Sequence, residues 1–225
     1  MANVLIAFYS TFGHVYTLAQ SVEAGAKSVK GADVRVRRIP ELTEARAALS
    51  KMPFYVQSQQ AQSHLAEVTK DDLRWADGVA WGSPTRFGNV TAQLKQFWDT
   101  LSDIWQSGEL EDKPAGIFTS SATIHGGQET TIVSGMLPLI HLGMVFVGTP
   151  YGENPQILST EAIGGSPYGP STIAGGDGSL QPKEADLQTA RNLGSRIALM
   201  AGALRPVRRL IRHGQQPKEP AFAQE

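Results

Sequence analysis

The fold turns on one stretch of sequence, Val4-Leu5-Ile6-Ala7-Phe8-Tyr9-Ser10-Thr11-Phe12-Gly13-His14-Val15. Six apolar residues run without alternation, which suits a strand buried on both faces of a parallel sheet. The run ends at two hydroxyl residues and a turn glycine. A helical pattern begins at once, because Val15, Leu18, Ala19, Val22, Ala26 and Val29 share one helix face. A buried strand thus feeds a helix through a short hydroxyl- and glycine-bearing loop.

The same alternation continues outward from that stretch. Five apolar runs read as strands, at 3–9, 33–39, 78–82, 114–120 and 144–148. The run at 33–39 alternates Val34, Val36 and Ile39 with Arg35, Arg37 and Arg38, so it belongs at a sheet edge. Helical patterns fall between the runs, around Leu94–Leu101, from Gln128 to His141, and from Pro182 to Leu204. Five strands alternating with helices imply one α/β domain over 1–204, a doubly wound open parallel sheet with helices on both faces. Ligands of such sheets bind beyond the carboxyl ends of the strands. Two segments depart from the pattern. Residues 51–70, rich in Gln, Ser and Ala behind Met52-Pro53-Phe54-Tyr55, read as a mobile or partner-ordered excursion. Residues 151–182 hold seven glycines and four prolines, and a loop that long before the last helix reads as ordered and functional. Residues 205–225, basic and then rich in Pro and Gln, read as a frayed, solvated C-terminal tail.

Composition narrows the function. The chain has 225 residues and no cysteine, which excludes disulfides, Cys-ligated metal and cysteine nucleophiles. Twenty Lys and Arg against 21 Asp and Glu give a net charge of −1. That balance speaks against a nucleic-acid binder and against an acidic electron carrier that docks by charge. No apolar run approaches the roughly 20 residues of a membrane span, and the first run lacks the features of a secretion signal, so a cytoplasmic location is expected. The Asn89-Val90-Thr91 sequon carries no meaning without secretion. The five histidines show no short metal-ligand spacing, so no metal site is expected.

Three strand-end loops carry the chemistry. Ser10-Thr11-Phe12-Gly13-His14 is either a phosphate site at a helix N-terminus or an ordinary Ser/Thr cap. Neither G-x-x-x-x-G-K-[ST] nor a strand-borne G-x-G-x-x-G occurs, which sets aside the P-loop and Rossmann readings. The second loop, Gly82-Ser83-Pro84-Thr85-Arg86-Phe87-Gly88-Asn89, has a tight backbone and one cation. The third, Thr119-Ser120-Ser121-Ala122-Thr123-Ile124-His125-Gly126-Gly127, is a hydroxyl-rich turn into a helix. All three would converge at one end of the sheet.

Ser-x-x-Gly-His at 10–14, Pro-Thr-Arg-Phe-Gly-Asn at 84–89, His-Gly-Gly-Gln-Glu at 125–129 and Pro-Tyr-Gly-x-Ser-Thr-Ile-Ala-Gly-Gly-Asp-Gly-Ser at 167–179 resemble the WrbA family of flavodoxin-like NAD(P)H:quinone oxidoreductases. The match spans roughly 3–204. The resemblance implies a flavodoxin-like five-stranded parallel sheet in the order 2-1-3-4-5. It also implies FMN as cofactor, NADH or NADPH and a quinone as substrates, and a homotetramer built as a dimer of dimers. Carried over by position, Ser10, Thr11, Phe12, Gly13, His14 and Val15 would hold the FMN phosphate. Pro84, Thr85, Arg86, Phe87 and Gly88 would line the isoalloxazine. Thr119, Ser120, Ser121, Ala122, Thr123, Ile124 and His125 would form a third wall, with His141 near the flavin. Phe12, where many members have Tyr, and Trp105 would meet the substrate.

The chemistry so implied is two-electron reduction of quinones by a ping-pong sequence in one shared pocket. Arg86 would favour the reduced flavin, and His125 and His141 would supply or hold a proton. Two other classes remain at this stage. One is a flavodoxin-type electron carrier without pyridine-nucleotide activity, and the other is a regulatory binding protein. The second lacks support, since no basic recognition helix is present.

Overall fold

The structure, a computed structural model, describes residues 1–214, with side chains through Arg208. Strand β1 (Ala2–Phe8) passes through the Ser10 loop into α1 (His14–Lys27), and β2 (Ala32–Arg38) follows. Three short helices come next, α2 (Thr43–Leu49), α3 (Pro53–Ala61) and α4 (Lys70–Trp75). The chain continues with β3 (Gly78–Pro84), α5 (Ala92–Asp99), α6 (Ser102–Gln106), β4 (Pro114–Ser121) and α7 (Gln128–His141). It ends with β5 (Val145–Phe146), a 3-10 turn at Pro155–Leu158, β6 (Ser171–Ile173) and α8 (Glu184–Gly214).

The sheet order is β2-β1-β3-β4-β5 and every pairing is parallel. Strand β1 explains its own lack of alternation. Val4, Ile6 and Phe8 pack with α1 and α8 on one face, while Leu5, Ala7 and Tyr9 pack toward α4 to α7 on the other. Period-2 alternation of side chains makes a doubly covered strand apolar throughout. Strand β2 lies at the edge, as its alternation indicates. Its Arg37 pairs with Asp72 at 3.1 Å and its Arg35 lies over the Trp75 ring. Asp72 also closes a capping box with Thr69 at the start of α4.

The structure corrects four expectations. The last sheet position is shared by two short strands, whereas one strand at 144–148 was expected. Strand β5 pairs with Pro114 and Ala115, and β6 with Thr119 to Ser121. The chain leaves the sheet after Phe146 because the returning loop lies against it. A Cβ on Gly148 would stand 2.3 Å from the Pro167 carbonyl, and Thr149 donates its amide to that oxygen. Second, the 51–70 excursion is not loose. Within it α3 buries Tyr55 and Ser58, and Gln62 just beyond it is also buried. Third, the helix expected around 94–101 is two helices, α5 and α6, with a break at Thr100–Leu101. Fourth, the tail expected to fray after Leu204 continues as helix to Gly214. Arg205 and Arg208 pair with Asp77 at 3.5 and 3.7 Å, and Arg208 also donates to the Glu111 carbonyl. The rest of that tail, residues 215–225, lies outside the described residues. No helix among the described residues is long and apolar enough to cross a membrane.

Candidate active site

One cleft of about 360 Å³ opens at the carboxyl ends of β1, β3 and β4. That volume is in the usual range for a small-molecule site. Its lining comes from five stretches. Ser10, Thr11, Phe12, His14 and Val15 form the floor at the start of α1, and Pro84, Thr85 and Arg86 follow β3. Ser120, Ser121 and Ala122 end β4, and Ala174 to Gly178 come from the long loop before α8. Met52 and Phe54, ahead of and inside the first turn of α3, complete the rim.

The first loop is built as an anion seat. Gly13 stands at φ +100°, in the left-handed region where glycine carries no steric penalty, and so aims the start of α1 into the cleft. The Ser10 hydroxyl accepts the amides of Gly13 and Tyr16, both at 3.2 Å. No acidic side chain occupies the first turn of α1. A phosphate there meets backbone N–H groups and the positive end of the helix dipole. His14 is buried and joins two walls, its Nε2 lying 2.9 Å from the Leu180 carbonyl. It thereby holds the 174–180 loop over the helix start.

Arg86 crosses the cleft. Its guanidinium donates to the Thr11 hydroxyl at 2.9 Å and to the Thr85 carbonyl at 2.8 Å. The exposed cation therefore stands between the first and second loops in one fixed fork. Opposite it, Asp177 accepts the Ser179 hydroxyl at 2.8 Å and the Ser179 amide at 3.0 Å. Those hydrogen bonds hold its pKa below the ordinary carboxylate value, which favours the ionised form. The cleft thus offers an anion seat, an acceptor for hydroxyls, a cation, and apolar surface on Phe12, Pro84, Met52 and Phe54. These are the contacts that a phosphate, a ribityl chain and a flat ring system require, so the residues fit FMN.

Several sequence-predicted residues lie elsewhere in the single chain. Thr119 is fully buried inside β4, where its hydroxyl donates to the Ser83 carbonyl. Gly13 shapes the backbone and is not part of the lining. Phe87 and Gly88 form the tip of a tight Arg86–Asn89 turn, with φ of +53° and +76°. Phe87 is fully exposed there and is not part of the cleft lining. Thr123, Ile124 and His125 curl back through a turn in which Ser121 Oγ and the Gly126 amide both donate to the Thr123 carbonyl. That turn delivers them to a separate hollow beside Leu180 and Lys183. His141 and Trp105 share a third groove between α5, α6 and α7. Sequence reading did not place Met52 and Phe54 in the cleft, although their apolar cluster stood out ahead of the Gln-rich segment. Among the described residues no group of three or more His, Asp or Glu could hold a metal ion.

Sheet order and cleft together define a flavodoxin-like α/β protein with a flavin site at its strand ends. A model of the NADPH-dependent FMN reductase family matches residues 5–154. The chain belongs to that family. Curated relatives named NAD(P)H dehydrogenase (quinone) include one from Solidesulfovibrio magneticus, 46% identical over 90% of this chain and 99% of its own length. Another, from Geobacter sulfurreducens, is 47% identical over 90% of this chain and 98% of its own. Among solved structures, a WrbA-like flavodoxin from Agrobacterium tumefaciens matches at TM-score 0.62 and 25% identity, covering 90% of this chain and 99% of that one.

Proposed function

We propose that the protein is an FMN-dependent NAD(P)H:quinone oxidoreductase in which both substrates use one cleft in turn, a ping-pong sequence. The observation that carries this reading is the convergence of five stretches on a single cleft with an anion seat at its base and an open apolar mouth. Bound FMN would supply hydride acceptance from the nicotinamide and two-electron delivery to the quinone. The protein's contribution is placement. Ser10 and the start of α1 would fix the phosphate, and Asp177 would accept ribityl hydroxyls. Arg86 would set a positive charge beside the ring, where it favours added negative charge. Phe12, Met52 and Phe54 would shed water from the mouth, so that a nicotinamide or quinone ring stacks on apolar surface. The single mouth supports successive rather than simultaneous occupancy.

His141 and Trp105 line the α5–α7 groove and are not part of the lining of their own chain's cleft. Our reading is that the enzyme assembles as a homotetramer and that these two residues act on a neighbour's cleft, His141 holding a proton near the quinone oxygens. The electron-carrier alternative lacks the acidic docking surface that its net charge of −1 denies it.

The test is the visible spectrum of protein loaded with FMN and freed of excess, followed by anaerobic NADH or NADPH and then benzoquinone. Bound flavin should bleach with nucleotide and recover with quinone. Flavin that stays oxidised with both nucleotides would convert the reading to an electron carrier. In the same assay Arg86→Ala should weaken FMN retention by about tenfold, the loss expected for one charge-assisted hydrogen-bonding cation. Unchanged retention and unchanged bleaching would remove Arg86 from the site.

A further inference from the structure

A carboxylate that touches no part of the cleft holds one side of it in place. Glu41, in the connection between β2 and α2, accepts four hydrogen bonds from four different places. Its Oε2 receives the Tyr9 hydroxyl at 2.6 Å and the Tyr55 hydroxyl at 3.1 Å. Its Oε1 receives the Gln93 side-chain amide at 2.5 Å and the Leu42 backbone amide at 3.0 Å. Tyr9 follows β1 and immediately precedes the cleft residue Ser10, Tyr55 belongs to α3, and Gln93 belongs to α5. The carboxylate is thereby the node at which α3 is tied to the first strand of the sheet.

The remainder of α3's attachment is also polar and also aimed at the cleft floor. Gln59 and Gln62 donate side-chain amides to the Ser10 carbonyl at 3.0 and 3.4 Å. Two apolar side chains at the start of α3, Met52 at its N-cap and Phe54 in its first turn, are left 44% and 67% exposed, while exposed Val56 lies outside the cleft lining. They spend that exposure at the cleft mouth. An aromatic and a thioether held open to solvent at the rim of a ring-binding cleft are suited to cover a flat apolar ligand.

We propose that Glu41 is a positioning residue that fixes α3, and that Met52 and Phe54 so placed select the electron acceptor in favour of apolar ring compounds. This rests on the oxidoreductase reading above. Acceptors that take electrons without entering the mouth should be indifferent to α3, and fused-ring quinones should depend on it. The chemistry also provides a conservative rescue. Gln at position 41 keeps one oxygen to accept the Leu42 and Gln93 donors, and its NH₂ donates to the two phenol oxygens, which can accept. Alanine keeps neither.

The experiment uses FMN-loaded protein with 2-methyl-1,4-naphthoquinone and, as outer-sphere acceptor, ferricyanide, with two equivalents taken up per hydride. Glu41→Ala and the double variant Met52→Ala/Phe54→Ala should each raise the naphthoquinone KM about 5- to 20-fold relative to ferricyanide, the range for losing apolar contact in a specificity pocket. Glu41→Gln should restore the ratio. Amide hydrogen exchange across residues 53–61, read with and without FMN, should be faster in Glu41→Ala and normal in Glu41→Gln. Three results would overturn the proposal: an unchanged acceptor ratio in Glu41→Ala, equal losses for both acceptors, or a Gln variant that behaves as the Ala variant does. If wild-type flavin fails to bleach with nucleotide, the oxidoreductase reading itself fails. If it bleaches and the acceptor ratio does not move, only the role of α3 falls.

Discussion

Tyr55 carries the chemistry of the Glu41 node in a form that titration can read. Burial, and then the adjacent Glu41 carboxylate, push its hydroxyl up from 10.0 to about 12. Tyr9, deeper and also bonded to Glu41, is shifted the same way and further. A raised folded-state pKa means that the folded protein keeps a proton which the unfolded chain has already released. The stabilisation is complete below pH 10 and is lost as pH rises toward 12. Urea midpoints taken at intervals from pH 9 to pH 11.5 should therefore fall steeply in the wild type. In Tyr55→Phe the slope should be shallower by up to about 1.4 kcal/mol per pH unit, the contribution of one titrating site. Identical slopes in the two proteins would show that Tyr55 ionises as freely when folded as when unfolded.

At the scale of elements, α1 and α8 meet through glycine. A Cβ on Gly25 would lie 1.9 Å from the Arg191 carbonyl oxygen, and one on Gly194 would lie 2.0 Å from the Val22 carbonyl oxygen. Each obstacle is backbone, so the helices cannot yield by moving a side chain. Gly194→Ala should cost about 1–3 kcal/mol despite alanine's better helix propensity, because overpacking outweighs the gain of nearly 1 kcal/mol. Since α1 begins in the cleft, the same variant should also lower FMN affinity. Chemical denaturation and flavin titration check the two effects separately, and a stabilised variant would contradict the close crossing. This crossing is not visible in sequence, because a glycine inside a helical pattern does not say which backbone packs against it. What was legible was whatever rests on apolar periodicity. The continuous run of β1 and the alternating run of β2 fixed their places in the sheet, and the hydroxyl–glycine loop at 10–14 marked the floor of the cleft. Helix α3 escaped that reading because much of its anchoring is by Gln and Tyr side chains bonded to main chain and carboxylate, which leaves no apolar stripe. Strand β6 escaped because three residues paired to a free edge of β4 carry no pattern of their own. The positions of His125, Phe87 and Gly88 depended on local turns whose direction residue types do not encode.

At the scale of the molecule, one helix leaves large apolar side chains exposed. On α7, Val133, Leu137 and Ile140 follow one another at helical spacing and are 37%, 57% and 53% exposed. Trp105 on α6, 53% exposed, shares a groove with His141 from the end of α7. An exposed apolar stripe on a helix whose end opens on a groove is suited to be covered by another protein. A copy of the same chain is the occupant that also adds to the site, because it would bring a second histidine and an indole to a cleft whose own lining holds His14, Phe12 and Phe54. Wild-type protein should therefore sediment as a tetramer, and Leu137→Glu/Ile140→Lys should shift it to smaller species, since burying charge in an apolar contact costs several kcal/mol. The smaller species should retain the far-UV signature of the fold yet lose about 100-fold or more in quinone turnover, the scale of one proton-transferring group. Trp105→Ala and His141→Ala should cause a similar loss with the assembly intact. Mixing either of those two impaired variants with the Arg86→Ala variant and reassembling them provides the decisive comparison. If each cleft combines residues from different chains, mixed tetramers regain activity above the average of their parents. Additive activity in the mixtures, or a fully active wild-type monomer, would mean that each chain works alone.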